Sequence, residues 1–106
     1  MTTAARKKSA TKPMASACDV AEHLRTPEEM AAYLDVWLED APDDVSGIAR
    51  ALGDIARAKG MSRVAKDAGL SGESLYRALS EGGNPSFATV LKVTRALGVR
   101  LHAQPA

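Results

Sequence analysis

The stretch that most constrains this chain is residues 62–79, SRVAKDAGLSGESLYRAL. Val64, Ala65 and Ala68 make one apolar stripe behind Ser62 as N-cap, and Gly69 stops the helix. Leu70 plugs the turn, Ser71 caps a second helix, and Leu75, Tyr76 and Leu79 are expected to face inward. A helix stopped by glycine, an apolar plug and a capped second helix spell a helix-turn-helix. The second helix is left with Gly72, Glu73, Ser74, Arg77 and Ala78 outside. These are small, polar or basic, as entry into a major groove about 12 Å wide requires.

The flanking segments read as helices around that unit. Thr26-Pro27-Glu28-Glu29 is a helix start: Thr caps, Pro takes the first turn, and Glu29 completes a capping box. The helix runs on through Met30, Tyr33, Leu34, Trp37 and Leu38. Two readings of this stripe stand: core against the rest of the chain, or an apolar face rimmed by Asp35, Glu39 and Asp40 that docks a basic partner. Asp43 or Asp44 caps the next helix, with Val45, Ile48, Leu52 and Ile55 on its apolar face and Gly60 as its stop. After the loop Ser80-Glu81-Gly82-Gly83-Asn84-Pro85, Ser86 caps a last helix with Phe87, Val90, Leu91, Val93 or Thr94, and Leu97 inward, and Gly98 ends it. Val99-Arg100-Leu101-His102 alternates, which fits a short strand or an extended tail. Val20 and Leu24 in residues 19–25 suit a turn or two of helix. The expectation is one all-α domain of about five helices, in three parts: a disordered basic tail (1–18), an acidic helical segment (19–44) and the DNA-binding unit (45–102).

Charge follows the same division. The net charge is +4 over residues 1–18, −8 over 19–44 and +5 over 45–106, so two surfaces for two kinds of partner are expected. The tail is either a solubilising leader or an arm that touches phosphate. Cys18, His23 and His102 lie far apart, so no catalytic residue, metal site or cofactor is expected and the chain does not read as an enzyme. A single cysteine suits a reducing cytoplasm. No apolar run approaches the ~20 residues of a membrane span, and the basic N-terminus lacks the apolar stretch of a secretory signal.

The candidate DNA contacts are Arg63, Ser71, Gly72, Glu73, Ser74, Arg77, Asn84 and Ser86. Arg77 leads them, because a guanidinium fits guanine O6 and N7 bidentately, a pairing worth roughly 1–3 kcal/mol of discrimination. A phosphate contact is its other reading. Glu73 either accepts from a cytosine amino group or complements the helix dipole. Ser71 acts as a cap beside phosphate-binding N–H groups. Asn84 and Ser86 sit where a loop and a helix start meet the DNA backbone, and Arg63 offers a phosphate contact. One short recognition helix reads too few base pairs for useful specificity, so a homodimer on a two-fold, double-stranded operator is expected.

From residue 49 to 102 the chain resembles the Cro/cI-type helix-turn-helix family, which implies a λ-repressor-like fold. Ala65, Gly69-Leu70-Ser71, Leu75, Asn84-Pro85-Ser86-Phe87, Thr89-Val90-Leu91-Lys92-Val93 and Ala96-Leu97-Gly98-Val99 carry that likeness. Over residues 19–102 it is similar to a narrower group, the HigA-like addiction module antidote proteins found beside RelE/ParE-type toxins. Ala21-Glu22-His23-Leu24, Ala31-Ala32-Tyr33-Leu34, Leu38-Glu39-Asp40, residues 51–61 and Leu75-Tyr76-Arg77-Ala78-Leu79-Ser80 carry this second likeness. It implies an antitoxin that represses its own operon and neutralises a RelE/ParE-type toxin by contact. Tyr33, Asp35, Trp37, Glu39 and Asp40 are the candidate toxin-facing residues. Two rivals are a stand-alone prophage-type regulator and a protein-interaction module on the same fold. One departure is that Met61-Ser62-Arg63 replaces the glutamine with which the wider family often opens its first motif helix.

Overall fold

The computed structural model describes residues 22–80 and 82–106; the basic tail, Cys18 and the helical reading of residues 19–21 lie outside them. Among the described residues there are five helices and no strand: α1 Pro27–Asp40, α2 Val45–Lys59, α3 Met61–Ala68, α4 Gly72–Leu79 and α5 Phe87–Leu97. The fold is all-α and helix-turn-helix-like.

Local chemistry sets most boundaries. The capping box at α1 forms as the sequence dictates: Glu29 N–H donates to Thr26 Oγ1 at 3.1 Å, and Thr26 N–H to Glu29 Oε1 at 3.1 Å. Arg25 N–H also donates to Glu29 Oε1, at 2.8 Å, and this bond chiefly draws the Glu29 pKa below its ordinary value. Asp44 caps α2 through Gly47 N–H at 2.9 Å. Ser62 does not cap α3, which starts at Met61 after Gly60 with no side-chain cap.

Helix α2 is the hub, packing on each of the other four. Its buried side is Gly47, Ala49, Ala51, Leu52, Gly53, Ile55 and Ala56, and the small residues let neighbours come close. A Cβ on Gly53 would stand 2.8 Å from the carbonyl oxygen of Leu79, so α4 reaches α2 only because no side chain intervenes. Leu24, Met30 and Leu34 join Leu52, Ile55, Val64, Leu75, Leu79, Val93 and Leu97 in a single aliphatic core. Lys59 closes the far end, its ammonium donating to Ala96 O at 2.8 Å.

The four aromatic side chains stay out of that core. Tyr33 and Trp37 are half-buried between α1 and α2. Tyr76 and Phe87, expected inside, are 63% and 71% exposed, and Leu91 is 39% exposed. Val45 also lies outside the α2 face, at 53% exposure. Tyr76 sits on the solvent side of α4, and Val45 and Phe87 are first residues of their helices, where the apolar stripe outruns the neighbour it would pack on. The segment after Gly98 takes no regular secondary structure, and no second strand among the described residues pairs with it.

Candidate nucleic-acid interface

The turn between α3 and α4 is built by hydrogen bonds. Gly69 takes the left-handed conformation (φ 73°), and its N–H donates to Lys66 O at 3.1 Å. Leu70 N–H donates to Ala65 O at 2.9 Å, and Leu70 packs on the core. Ser71 then caps α4, accepting from Ser74 N–H at 3.0 Å. Leu75 and Leu79 are fully buried and fix the rotation of α4. That rotation leaves Gly72, Glu73, Ser74, Tyr76 and Arg77 exposed.

The loop after α4 is tied down at three points. Ser80 Oγ donates to Arg77 O at 3.1 Å, Gly83 N–H to Ser80 O at 2.8 Å, and Gly82 N–H to Ser46 Oγ on α2 at 3.2 Å. Ser86 caps α5 by accepting from Thr89 N–H at 3.0 Å, and its own hydroxyl donates to Thr89 Oγ1 at 3.0 Å. Four of the eight expected DNA contacts, Ser74, Arg77, Asn84 and Ser86, thereby line one open depression together with Thr89 and the Gly82-Gly83 backbone. Thr89 had no signal of its own in the sequence beyond its spacing from Ser86.

Ser71, Gly72 and Glu73 stand at the start of α4, beside that depression in sequence but outside its lining. The Arg77 guanidinium donates to Glu73 Oε2 at 3.2 Å, and both side chains are more than three-quarters exposed. Such a pair is worth roughly 0–1 kcal/mol, so Arg77 is held in place cheaply and released cheaply. Arg63 lies apart from the group. It stands 4.0 Å from Asp67 and lines a second depression with Arg25, Pro27, Lys59 and Leu97.

The candidate toxin-facing residues divide between two sides of α1. Tyr33 donates to Asp54 Oδ2 at 2.8 Å, and Arg57 donates to Asp54 Oδ1 at 2.9 Å. Burial, then the bond to Asp54 and the charge of Asp54, push the Tyr33 hydroxyl up to about 12. The Arg50 guanidinium lies 5.8 Å from the Trp37 ring centre. Trp37 Nε1 and Asp40 Oδ2 are both buried without a hydrogen bond. On the other side, Asp35 lines a groove with Ala31, Leu34, Leu38 and the segment from Val99 to His102. Glu39 is exposed.

A family model described as "probable addiction module antidote protein" matches residues 14–105. The chain belongs to that family. A protein of Haemophilus influenzae strain Rd, described only as uncharacterized, is 54% identical over 86 residues, covering 81% of this chain and 87% of its own length. No solved structure matches. Membership of an antidote family supports an antitoxin role, implies a toxin partner, and points to a regulatory protein rather than an enzyme. Among the described residues no group of His, Cys, Asp and Glu could hold a metal ion, and no helix is long and apolar enough to cross a membrane.

Proposed function

We propose that this antidote-family protein is a HigA-like antitoxin with a Cro/cI-type helix-turn-helix, which represses its own operon as a cytoplasmic homodimer on a two-fold DNA operator. The observation that carries this reading is the convergence of Ser74, Arg77, Asn84 and Ser86 on one open depression, on the side of α4 that the core does not use. In this reading α4 enters the major groove with Arg77 toward a guanine edge. Glu73 lets Arg77 go as DNA arrives. Ser71 and Ser86, each capping a helix start, bring backbone N–H groups and the positive end of a helix dipole to the phosphates. Gly72 permits close backbone approach, and Arg63 contributes at the periphery.

Residues 45–102 are the DNA-binding part and residues 19–44 the toxin-facing part, and both rest on the same core. Asp35 and Glu39 present charge to a basic, RelE/ParE-type toxin. Tyr33, Trp37 and Asp40 form the margin of that surface next to α2.

The test is an anisotropy titration of labelled duplex from directly upstream of the gene against a scrambled duplex, over a salt series. Tight binding to the upstream duplex alone, weakening steeply with salt, supports a specific repressor. Equal, weak binding to both would overturn the repressor reading in favour of a protein-interaction module. For the toxin, copurification with the neighbouring gene's product should be lost in a Asp35→Ala, Glu39→Ala variant that still binds DNA.

A further inference from the structure

We propose that the basic residues Arg6, Lys7, Lys8 and Lys12 lie back along the outer side of α1, over Glu28, Asp35 and Glu39, and cover that side in the free protein until a basic partner displaces them. The docking itself stands apart from the toxin reading above; only the displacement rests on it.

The landing surface is a side of α1 that the core leaves bare. Glu28, Asp35 and Glu39 follow one another at spacings of seven and four residues, which puts all three on one side of the helix. All three are exposed, as are Ala31 and Ala32 between them, and Leu38 beside them is 39% exposed. The alanines leave room for a backbone to lie close to the helix. Ala31, Ala32, Asp35 and Leu38 also form one wall of the groove whose other wall is the segment from Val99 to His102. Arg100 on that far wall repels cations, so a basic segment keeps to the α1 side.

Two facts select the occupant. The first is where acid is left over. From residue 45 on the chain has a net charge of +5, and its described acids are already answered: Asp54 by Tyr33 and Arg57, Asp67 by Arg63, and Glu73 by Arg77. The carboxylates of Glu28 and Asp35 have no ion pair or hydrogen bond among the described residues. Residues 1–18 carry four cations and no acid, so α1 attracts them where the rest of the chain repels them. The second fact is reach. Lys12 stands ten positions before Glu22, the first described residue, and ten residues span up to about 33 Å. Helix α1 is 14 residues long, or about 21 Å, so the cations can meet every acid along it. A second copy is disfavoured, because it would set one segment of net charge −8 against another. Each exposed pair is weak and screened by salt, but the covalent tether keeps the cations at high local concentration. The contact is therefore a cover that a more strongly basic protein surface can lift.

Paramagnetic broadening of amide signals in the full chain tests this. A nitroxide on Ser9→Cys in a Cys18→Ser background should broaden Ala31, Ala32, Asp35 and Leu38 more than Ser74 and Thr89, and high salt should erase the pattern. Glu28→Gln with Asp35→Asn and Glu39→Gln should erase it too, with unchanged circular dichroism. Should that variant lose helical signal, Arg6→Gln with Lys7→Gln, Lys8→Gln and Lys12→Gln decides, because it leaves α1 intact. Broadening centred elsewhere, or a pattern that survives high salt or the removal of either set of charges, overturns the proposal. The neighbouring gene's product keeps the two readings apart. It should release α1 from broadening, and bind the variant without the four cations roughly two- to fivefold tighter, as a cover present half to four-fifths of the time requires. A product that binds and leaves the broadening unchanged overturns the displacement. A product that does not bind sinks the toxin reading, and the docking then stands or falls on the label alone.

Discussion

The two pairs of aromatic residues in this protein lie in opposite situations. Tyr33 and Trp37 are folded into the α1–α2 seam, where Asp54, Arg57 and Arg50 answer them from within the chain. Tyr76 and Phe87 stand exposed on α4 and α5, flanking residues whose polar groups open outward. In the first pair Tyr33 is answered within the chain while Trp37 Nε1 stays buried without a hydrogen bond, and the second pair stands on sides that the core does not use. A polar group answered inside the chain has little left to offer a partner. Single solvated groups are ordinary, but Ser74, Arg77, Asn84 and Ser86 line one depression together, and the proposed DNA contact rests on that.

The contrast breaks down entirely if the shared core goes. Leu75 is a fully buried side chain on the inner side of α4, in the same cluster as Met30 and Leu34 of α1. Leu75→Ala should cost about 2–5 kcal/mol, a large share of the stability of a domain this size. Both halves should melt together in one transition followed by circular dichroism. Two separate transitions would mean that α1 and the helix-turn-helix fold independently, and the comparison would then be between two domains rather than two faces.

Arg77→Ala should act on one side only. Removing the proposed bidentate base contact is expected to cost about 1–3 kcal/mol of operator affinity, roughly five- to 150-fold, and to relax specificity at one position. The thermal midpoint should stay in place, since the Glu73 pair it breaks is exposed. A large drop in stability with unchanged DNA affinity would reverse the assignment of the two regions.

What could be read from the sequence divides along similar lines. Thr26 with Glu29, Asp44, Ser71, Ser86, Gly69 and Gly98 were legible because caps and stops act within four residues. The convergence of Ser74 with Asn84 and Ser86 was partly legible, since one loop joins them. The exposure of Tyr76, Phe87 and Leu91 was not. Periodicity reports which residues share a side of a helix, and says nothing about whether a neighbour reaches that side. The bonds of Tyr33 to Asp54 and of Lys59 to Ala96 span 21 and 37 residues, and only the packed core brings them together. Residues 99–102 carry a real alternation, yet a strand also needs a partner, which the described residues do not supply.

Tyr33→Phe sharpens the seam side of the comparison. It deletes the hydroxyl that donates to Asp54 at 2.8 Å and should cost about 1 kcal/mol, with operator binding unchanged. Its pH dependence gives a second readout. The Tyr33 hydroxyl is pushed from 10.0 in the unfolded chain up to about 12 in the folded one. A raised folded value means that the stabilisation is complete below pH 10 and drains away as pH rises through 12. The gap between wild type and variant in urea melts should therefore narrow across that window, and a gap that widened would place the hydroxyl outside the seam.

The smallest effect belongs to Glu29, at the start of α1. Its carboxylate accepts from the N–H groups of Arg25 and Thr26, and the Arg25 bond chiefly lowers its pKa below the ordinary 4.5. A lowered folded value works in the opposite sense to Tyr33: the contribution is present above 4.5 and is lost as pH falls below it. Glu29→Gln keeps an acceptor oxygen but no charge. The wild type should melt slightly higher than the variant at neutral pH, and the two should converge in acid. A difference that persisted unchanged into acid would assign the effect to side-chain geometry rather than charge. The capping box would then count as a contact that α1 keeps into acid, unlike the Tyr33–Asp54 bond, whose contribution is tied to the charge state of the hydroxyl at high pH.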